Sequence, residues 1–425
     1  MVKGAPDSIV EIGDQKIEPE GTREANSMRF SKRTDWNTEE SPLARAHRER
    51  AQSGLPLADL TASNPTRCGF QYPDNLLDAL RNARALDYDP QPLGLLRARE
   101  AVCQYYASHG SEVRPDRVVL TTSTSEAYSF LFKLLGDPGS EIVVPQPGYP
   151  LFDFLADLND VRIRFAEMVY DHGWQIDPIG LRQAITADTR ALVLVHPNNP
   201  TGHFTKRWEA IELARICRDQ QIALIVDEVF LDYGFGAEKN FSFAEGLEDV
   251  DVYVVSGLSK IAGLPQMKAA WIVATGPSAG PAMERLEVIA DTFLSMNAPV
   301  QEAIPSWIAG RGQILRQILE RVQANLAELD RRLAAVEEVR RLAVEGGWYA
   351  VLRIPALQKD EATVLELLRC GVWVHPGYFF GMEESGWLVV SLLAGVEEFQ
   401  TGAQVIVDYF RTHQADNKCP VEIKP

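Results

Sequence analysis

Short apolar runs rich in Val and Ile alternate with amphipathic segments through the middle of the chain. The amphipathic segments predict helices at 95–106, 126–135 and 206–220. The apolar runs predict strands at 117–121, 141–145, 191–196, 223–230, 250–257 and 269–276. Apolar strands that alternate with helices are typical of a mostly parallel sheet covered on both faces. The pattern therefore predicts an α/β large domain.

The pattern changes on both sides of this region. The polar start of the chain has no apolar period and predicts a mobile tail, and residues 40–53 predict a surface helix. Beyond residue 297 one long helical stretch, 301–338, precedes short strands near 347–354, 371–375 and 387–392. We therefore expect three regions: a mobile tail at 1–28, a large domain at 75–297, and a smaller α+β domain built from 29–74 and 298–425.

Composition narrows the class of protein. Hydrophobic residues make up 46% of the chain and charged residues 24%, which is ordinary globular composition. The formal net charge of -17 disfavours nucleic-acid binding, because phosphate contacts need clustered Lys and Arg. The five cysteines include no C-x-x-C pair, which disfavours a disulfide framework or a zinc site. With neither a signal-peptide pattern nor a long apolar run, we expect a cytoplasmic protein without membrane contact.

Polar residues follow four of the predicted strands, at the points where the apolar runs end. Ligands of open α/β sheets bind beyond the carboxyl ends of the strands. The four strand ends supply hydroxyls, an amide, a carboxylate and an amine, in the segments Thr122–Ser125, His196–Gly202, Asp227–Glu228 and Ser256–Lys260. This set predicts a binding site for one polar, anionic small molecule.

Three motifs in this set occur in a fixed order: Asn199-Pro-Thr-Gly202, Asp227-Glu228, and Ser259-Lys260 followed by Gly-Leu-Pro. One such motif alone describes an ordinary turn, but the ordered set is specific. It resembles the class I/II aminotransferase family, which are fold-type I enzymes that use pyridoxal 5'-phosphate (PLP). The resemblance covers roughly residues 60 to 410. It implies a mostly parallel large domain and a smaller α+β domain built from the N- and C-terminal segments.

The resemblance implies a role for each matched residue around the PLP ring. Lys260 would form the Schiff base and later carry the proton, and Asp227 would pair with the pyridine nitrogen. Asn199 would donate a hydrogen bond to the ring oxygen, and Tyr149 would stack on the ring. Taken singly, each has a plainer explanation: an exposed lysine, a cap, an Asn-Pro turn and core packing. Their combination favours the cofactor site, because a carboxylate placed directly after Ile-Val is costly to bury without a cation.

Other matched residues are implied to bind the cofactor phosphate. Ser123, Thr124 and Ser125 open a helix whose N–H groups and dipole would face the phosphate, although Ser123 with Glu126 also fits a capping box. Ser259 and Lys268 would add a hydroxyl and a positive charge. Tyr88 matches a tyrosine that reaches the phosphate of the neighbouring subunit, which implies a homodimer; a surface turn is its plainer alternative.

The sequence departs from the family at four positions. Phe230 replaces a tyrosine that binds the ring oxygen, and Lys268 replaces an arginine. Gly257 replaces a hydroxyl residue for which Ser259 and Ser256 compensate. Val389 replaces the arginine that holds the substrate carboxylate. Two other arginines are candidates for that last role: first Arg67 and second Arg353. Arg67 follows the turn at Asn64, which resembles the family's substrate-side loop, so Asn64 is also expected to bind substrate.

The predicted function is a PLP-dependent aminotransferase that moves an amino group from an amino acid to a 2-oxo acid by a ping-pong mechanism. A PLP-dependent lyase, decarboxylase or synthase of the same fold is the alternative, favoured by Phe230 and Val389. A third hypothesis is a non-catalytic binding module. The presence of Lys260, Asp227 and Asn199 disfavours it, because a module without chemistry has no physical need for the lysine.

Overall fold

The computed structural model describes residues 29–236 and 240–417, so the expected tail at 1–28 lies outside the described residues. The helices of the described chain are α1 (Pro42–Gln52), α2 (Leu96–Ala107), α3 (Thr124–Leu135), α4 (Phe152–Leu158), α5 (Pro178–Ala184), α6 (Arg207–Gln220), α7 (Leu258–Ile261), α8 (Ala279–Phe293), α9 (Ala298–Gly310), α10 (Gly312–Leu333), α11 (Asp360–Cys370) and α12 (Val396–Asn417). Its strands are β1 (Ala58–Asp59), β2 (Val118–Thr121), β3 (Glu141–Gln146), β4 (Arg162–Tyr170), β5 (Trp174–Ile176), β6 (Thr189–Val195), β7 (Ala223–Asp227), β8 (Val252–Gly257), β9 (Ala270–Thr275), β10 (Arg340–Arg341), β11 (Tyr349–Arg353), β12 (Val372–Trp373), β13 (His375–Pro376) and β14 (Trp387–Ser391).

An eight-stranded sheet with the order β2-β9-β8-β7-β6-β3-β4-β5 forms the centre of the larger part of the chain. The neighbours from β8 through β7, β6 and β3 to β4 are all parallel. Only β9, which is antiparallel to β2 and β8, and β5, which is antiparallel to β4, reverse the direction among the described strands. This mixed sheet confirms the predicted α/β class with mostly parallel strands.

The core of this sheet is apolar on the side that α3, α4 and α8 cover. Val144, Val193 and Ile225 from the strands lie in one buried cluster with Leu131 of α3 and Leu286 of α8. Burial of such side chains contributes about 25 cal/mol for each Å² of apolar surface removed from water. The cluster therefore fixes the carboxyl ends of β6, β7 and β8 as a rigid platform.

Three predicted elements have different bounds in the structure. The strand expected to reach Phe230 ends at Asp227, because the chain turns after it and Leu231 N donates to Glu228 O (3.1 Å). The single helix expected at 301–338 is two helices, which Arg311 separates. The strand expected at 371–375 is two short strands: β12 pairs with β1, and β13 pairs with β14. The predictions for these three bounds were wrong.

The described chain forms two compact units. The large unit, residues 64–319 and 343–347, holds the eight-stranded sheet. Helix α9, which follows the expected boundary at residue 297, lies in this unit, where Gln301 Oε1 accepts from Leu95 N (2.7 Å) and Trp307 Nε1 donates to Leu76 O (2.9 Å). The division into functional domains at 75–297 and its flanks stays a prediction.

The small unit comprises residues 29–63, 320–342 and 348–417 of the described chain. Its four-stranded sheet has the order β10-β11-β14-β13 and is antiparallel throughout. Asn325 of α10 donates from Nδ2 to the backbone oxygens of Leu392 and Ala394, both at 2.9 Å, and so ties the helix to the segment after β14.

Candidate active site

Asp227, the last residue of β7, is a buried carboxylate with 7% of its surface exposed. Its Oδ1 accepts from Val229 N (3.0 Å), and its Oδ2 accepts from the hydroxyl of Tyr128 (3.1 Å) on α3. Burial raises the pKa of Asp227 to about 6, while these two hydrogen bonds and the charge of Lys260 act in the opposite direction. The carboxyl therefore lies close to the lysine in a site that favours a cationic partner.

Lys260 lies in α7, the single turn that follows β8. Two tyrosine hydroxyls hold this turn: Tyr233 donates to Lys260 O and Tyr72 donates to Gly263 O, each over 2.6 Å. The Nζ atom of Lys260 is 5.8 Å from the centroid of the Phe230 ring. The backbone of the lysine is thus fixed from two directions, and its amine lies over an aromatic ring that offers no hydroxyl.

Asn199 lies in a tight turn after β6, which Gly202 N closes by donating to Asn198 O (2.8 Å). Gly202 has φ of 70°, and an added Cβ would come 2.4 Å from Gly346 O, so only glycine fits there. The side chain of Asn199 is 9% exposed, and its Oδ1 is buried without a hydrogen-bond partner among the described residues. An unsatisfied buried amide is costly, and this one indicates a ligand at the site.

Tyr149 is partly buried and packs edge-on against Phe152, with ring centroids 6.1 Å apart. Burial and the negative charge of Asp227 raise the pKa of the Tyr149 phenol to about 12. The structure therefore brings this ring into the neighbourhood of Asp227.

His196, to which we assign no role from the sequence, is a buried histidine. Burial lowers its pKa to about 3, and its Nδ1 accepts a hydrogen bond from Thr205 N (3.2 Å).

Ser123 is the N-cap of α3, and its Oγ accepts from Glu126 N (3.2 Å). Glu126 reaches back to Thr122 N (2.7 Å), so this helix start contains most of the expected capping box. The N–H groups of Thr124 and Ser125 belong to the first turn, where an α-helix supplies no carbonyl partner. The capping role of the Ser123 hydroxyl leaves these backbone groups as the candidates for binding phosphate.

The remaining predicted site residues lie on the surface or in turns. Tyr88 is 84% exposed. Arg67 is exposed, and Ser259 is partly buried in α7. Lys268 is exposed and has a left-handed backbone conformation, with φ of 51°. Asn64 is buried, and its Oδ1 caps the turn by accepting from Thr66 N (3.0 Å) and the Thr66 hydroxyl (2.7 Å). The side-chain oxygen of Asn64 is therefore already used within the turn.

The family hydroxyl that Gly257 replaces has no space in this chain. An added Cβ on Gly257 would lie 2.8 Å from both Ala269 O and Ala270 Cβ. The neighbouring Ser256 is fully buried, and its hydroxyl donates to Glu228 O (3.4 Å), which points it at the protein backbone. Ser259 is therefore the better of the two compensating hydroxyls.

The small unit contains Val389, which replaces the family's carboxylate-binding arginine, and Arg353, the second candidate for that role. Val389 is fully buried in β14, between Val351 and His375 of the adjacent strands. Arg353 donates to Ser385 O (2.9 Å) and Gly386 O (3.1 Å) and stacks over the ring of Trp387 at 4.3 Å. These contacts engage the guanidinium within its own unit, which leaves Arg67 as the stronger of the two candidates.

Sequence reasoning missed the three tyrosines that support the site: Tyr128, Tyr233 and Tyr72. Tyr128 lies four residues after Thr124 in the predicted helix, so its spacing places it one turn beyond the helix start. That signal indicates a position near the strand ends, but it does not reveal Asp227 as the partner. Nothing in the sequence around Tyr233 or Tyr72 indicates a bond to the lysine turn.

Comparison with known proteins agrees with this geometry. The family described as "Aminotransferase class I and II" matches residues 75–402. The glutamate-pyruvate aminotransferase AlaA of Haemophilus influenzae is 28% identical over 331 residues, which is 75% of this chain and 81% of the relative. The alanine aminotransferase of Mycobacterium tuberculosis is 29% identical over 330 residues, 74% of this chain and 76% of that protein.

Solved structures show the same fold. The alanine aminotransferase from Pyrococcus furiosus superposes with a TM-score of 0.83 at 24% sequence identity, over 90% of this chain and 100% of that chain. The chain therefore belongs to the class I and II aminotransferase family, and its fold is that of the fold-type I enzymes. It is an aminotransferase of a PLP-dependent class, which confirms the function predicted from the sequence.

The residues present fit PLP. Asn199 Oδ1 is a buried acceptor without a partner among the described residues, and a half-turn of the amide would present Nδ2 there as the donor that the ring oxygen needs. Among the described residues, Asp227 accepts hydrogen bonds from two neutral donors and interacts with the charge of Lys260, and a pyridinium nitrogen is the cation that its burial calls for. Among the described residues, no helix has the length and apolar character needed to cross a membrane.

Proposed function

We propose that this enzyme transfers an amino group from an amino acid to a 2-oxo acid by a ping-pong mechanism, with Lys260 as the residue that binds PLP covalently. The observation that carries the proposal is the buried carboxylate of Asp227 at a strand end, near the lysine and bonded by neutral donors. A buried carboxylate without a permanent cation is the arrangement that a pyridine nitrogen completes.

The cofactor would be held by groups that follow or end five strands of the sheet. Asp227 would pair with the ring nitrogen, Asn199 would donate to the ring oxygen and Tyr149 would cover one face of the ring. The phosphate would be held by groups at the start of α3, in α7 and beyond it: Ser123, Thr124, Ser125, Ser259 and Lys268. When bound, PLP supplies an electron-withdrawing ring that stabilises the negative charge left at the substrate carbon.

The side chains divide the remaining work. Asp227 would keep a positive charge at the ring nitrogen, and the N–H of Val229 and the hydroxyl of Tyr128 hold its carboxylate in place. Lys260 moves the proton through Nζ, while Tyr233 fixes its backbone at 2.6 Å. The Phe230 ring, whose centroid is 5.8 Å from Nζ, accepts no proton from the amine.

The substrate class follows from the relatives and from the departures in this chain. Two relatives are named for alanine or for glutamate and pyruvate, so small amino acids and glutamate are the first donors to test. Val389 offers no charge for the substrate carboxylate. We propose Arg67, which is exposed beside the turn at Asn64, as the group that binds it.

We further propose that the working unit is a cytoplasmic homodimer in which Tyr88 reaches the phosphate site of the neighbouring subunit. Its 84% exposure in the single chain is compatible with a contact that a second subunit completes. The cysteines that the structure describes are free thiols, as expected in a reducing compartment.

The test is the absorbance spectrum of the PLP-loaded enzyme before and after addition of single amino acids without an acceptor. Transamination converts the cofactor to its pyridoxamine form with donor alone, so the Schiff-base band should disappear. Lys260→Ala is the control that should not show the change. A band that persists with every donor, together with release of pyruvate and ammonia or of carbon dioxide, would indicate lyase or decarboxylase chemistry instead.

A further inference from the structure

The hydroxyl of Tyr128 stands in apolar surroundings with one polar neighbour. The Tyr128 ring is 2% exposed, packs edge-on against Phe152 at 5.2 Å and lies 6.0 Å from the ring of Phe132. Phenylalanine would fill the same space without a polar atom to satisfy. Burial of a hydroxyl in such a cluster is unfavourable unless it is bonded, and this one donates to Asp227 Oδ2 over 3.1 Å.

The direction of this hydrogen bond is fixed. Burial and the neighbouring Asp227 raise the pKa of the Tyr128 phenol well above its ordinary value, so it keeps its proton and acts as the donor. Five titratable groups interact electrostatically with Asp227. They are Tyr128 on α3, Lys260 on α7, the adjacent Glu228, Tyr149, and Tyr106 on α2. Of these, only Tyr128 has a described hydrogen bond to the carboxylate.

The opposite side of the proposed cofactor site departs from the family pattern at one donor. Phe230 stands where the resemblance implies a tyrosine on the ring oxygen, and the nearest phenol in sequence, Tyr233, is bonded to Lys260 O. Asn199 is then the side chain left to donate on that side. Control of the charge on the ring must therefore depend more strongly on the nitrogen side, where Asp227 and Tyr128 lie.

We propose that Tyr128 is a positioning residue that keeps the proton shared by Asp227 and the PLP ring nitrogen on the nitrogen. Its hydroxyl stabilises the ionised carboxylate and turns Oδ2 away from that proton, so the ring remains cationic. Without the hydroxyl the carboxylate becomes more basic, and the shared proton moves toward Asp227. This inference rests on the proposed function, in which Asp227 pairs with the ring nitrogen.

The experiment compares Tyr128→Phe with Tyr106→Phe in the full-length enzyme. Tyr106 is also fully buried, and its hydroxyl accepts from Trp271 Nε1 (3.1 Å) without a described bond to Asp227, so it controls for loss of a buried phenol. Each apoprotein is loaded with PLP labelled with ¹⁵N in the ring, and the ¹⁵N chemical shift is followed with pH. The dissociation constant for PLP, kcat and KM are measured on the same samples.

In Tyr128→Phe the ¹⁵N resonance should move toward that of the unprotonated ring, the dissociation constant should rise about tenfold, and kcat should fall more than KM changes. Tyr106→Phe should leave the resonance in place. Incorporation of 3-fluorotyrosine at position 128 keeps the volume and strengthens the donor, so it should move the resonance the other way. A resonance that is the same in all variants overturns the inference alone, whereas a wild-type enzyme that binds no PLP overturns the proposed function and this inference with it.

Discussion

The hydroxyl of Tyr233 donates a hydrogen bond to the backbone oxygen of Lys260, and the two oxygens are 2.6 Å apart. Tyr233 is fully buried and lies three residues after Phe230, the position at which the family resemblance implies a tyrosine. The hydroxyl of Tyr233 therefore holds the backbone of the lysine. In the proposed cofactor site, this phenol therefore supports the lysine rather than the ring oxygen.

Tyr233→Phe should lower kcat by about tenfold with a smaller change in KM, because the lysine turn loses a fixed contact and its amine is placed less accurately. The free energy of unfolding should fall by about 1 kcal/mol, the typical net contribution of such a bond. Steady-state kinetics and denaturant unfolding measure both effects. Tyr253→Phe, in the core of β8, is the matched control; equal kcat in the two variants would contradict the assignment.

Asp227→Asn should make the apoprotein more stable and the enzyme less active. The pKa of Asp227 is about 6 in the folded chain against 3.8 ordinarily, so folding favours the protonated form. The destabilisation by the ionised group is absent below about pH 4 and complete only above the folded pKa. At pH 8 the variant should therefore gain up to about 3 kcal/mol in free energy of unfolding, with no gain at pH 4.

The same Asp227→Asn variant should lose at least about a hundredfold in transamination rate, since no charge remains to hold the ring nitrogen protonated. Asp219→Asn on the exposed side of α6 should change neither property. Chemical denaturation of the apoproteins from pH 4 to pH 8 checks the stability, and single-turnover kinetics check the rate. A stability gain that does not depend on pH would show that the carboxyl is not destabilised by burial.

Arg67→Ala should raise KM for the amino donor by about tenfold or more and change kcat less, because the proposed contact is a charge-assisted one to the substrate carboxylate. Arg114→Ala, an exposed arginine paired with Asp116, should leave KM unchanged. Unchanged KM in Arg67→Ala would eliminate Arg67. The search would then turn to amine donors that carry no carboxylate next to the amino group.

Mixed subunits should show whether Tyr88 completes the site of a neighbour. Lys260→Ala and Tyr88→Ala are each expected to be poorly active as homodimers. In a hybrid, one of the two sites receives both Lys260 and Tyr88 intact, so a mixture of the two variants should recover up to about a quarter of the wild-type rate. The activity is measured after subunit exchange, with each variant alone as the control. No recovery in a mixture proven to contain hybrids would refute the contribution in trans.

The strands of the large unit were predictable because strands buried on both faces leave an unbroken apolar signal. Strand direction leaves no such signal: β9 is as apolar as β8 yet runs antiparallel to it. The break between α9 and α10 was missed because the amphipathic pattern continues across it, and only Gly310 and Gly312 hint at the interruption. Strand β4 was also missed, because its charged and apolar residues are mixed and leave no continuous apolar run.

The site was predictable as far as its motifs extend and no further. Asp227, Asn199 and Lys260 follow strand ends, so both their type and their place were accessible from the sequence. The bond between Tyr128 and Asp227 joins residues 99 positions apart, and no local pattern encodes it. The engagement of Arg353 by Ser385 O and Gly386 O is likewise a tertiary feature, which is why the sequence left that arginine as a candidate.

The two phenols that hold the lysine turn give the enzyme a support that does not titrate. Burial raises the pKa values of Tyr72 and Tyr233 above their ordinary value of 10, so both remain donors to Gly263 O and Lys260 O through the whole physiological range. Asp227, by contrast, has its pKa raised to about 6 by burial, with the charge of Lys260 acting in the opposite direction. The placement of the lysine and the charge of the carboxylate therefore depend on different groups, so a change of pH within this range leaves the two hydrogen bonds that hold the lysine turn in place.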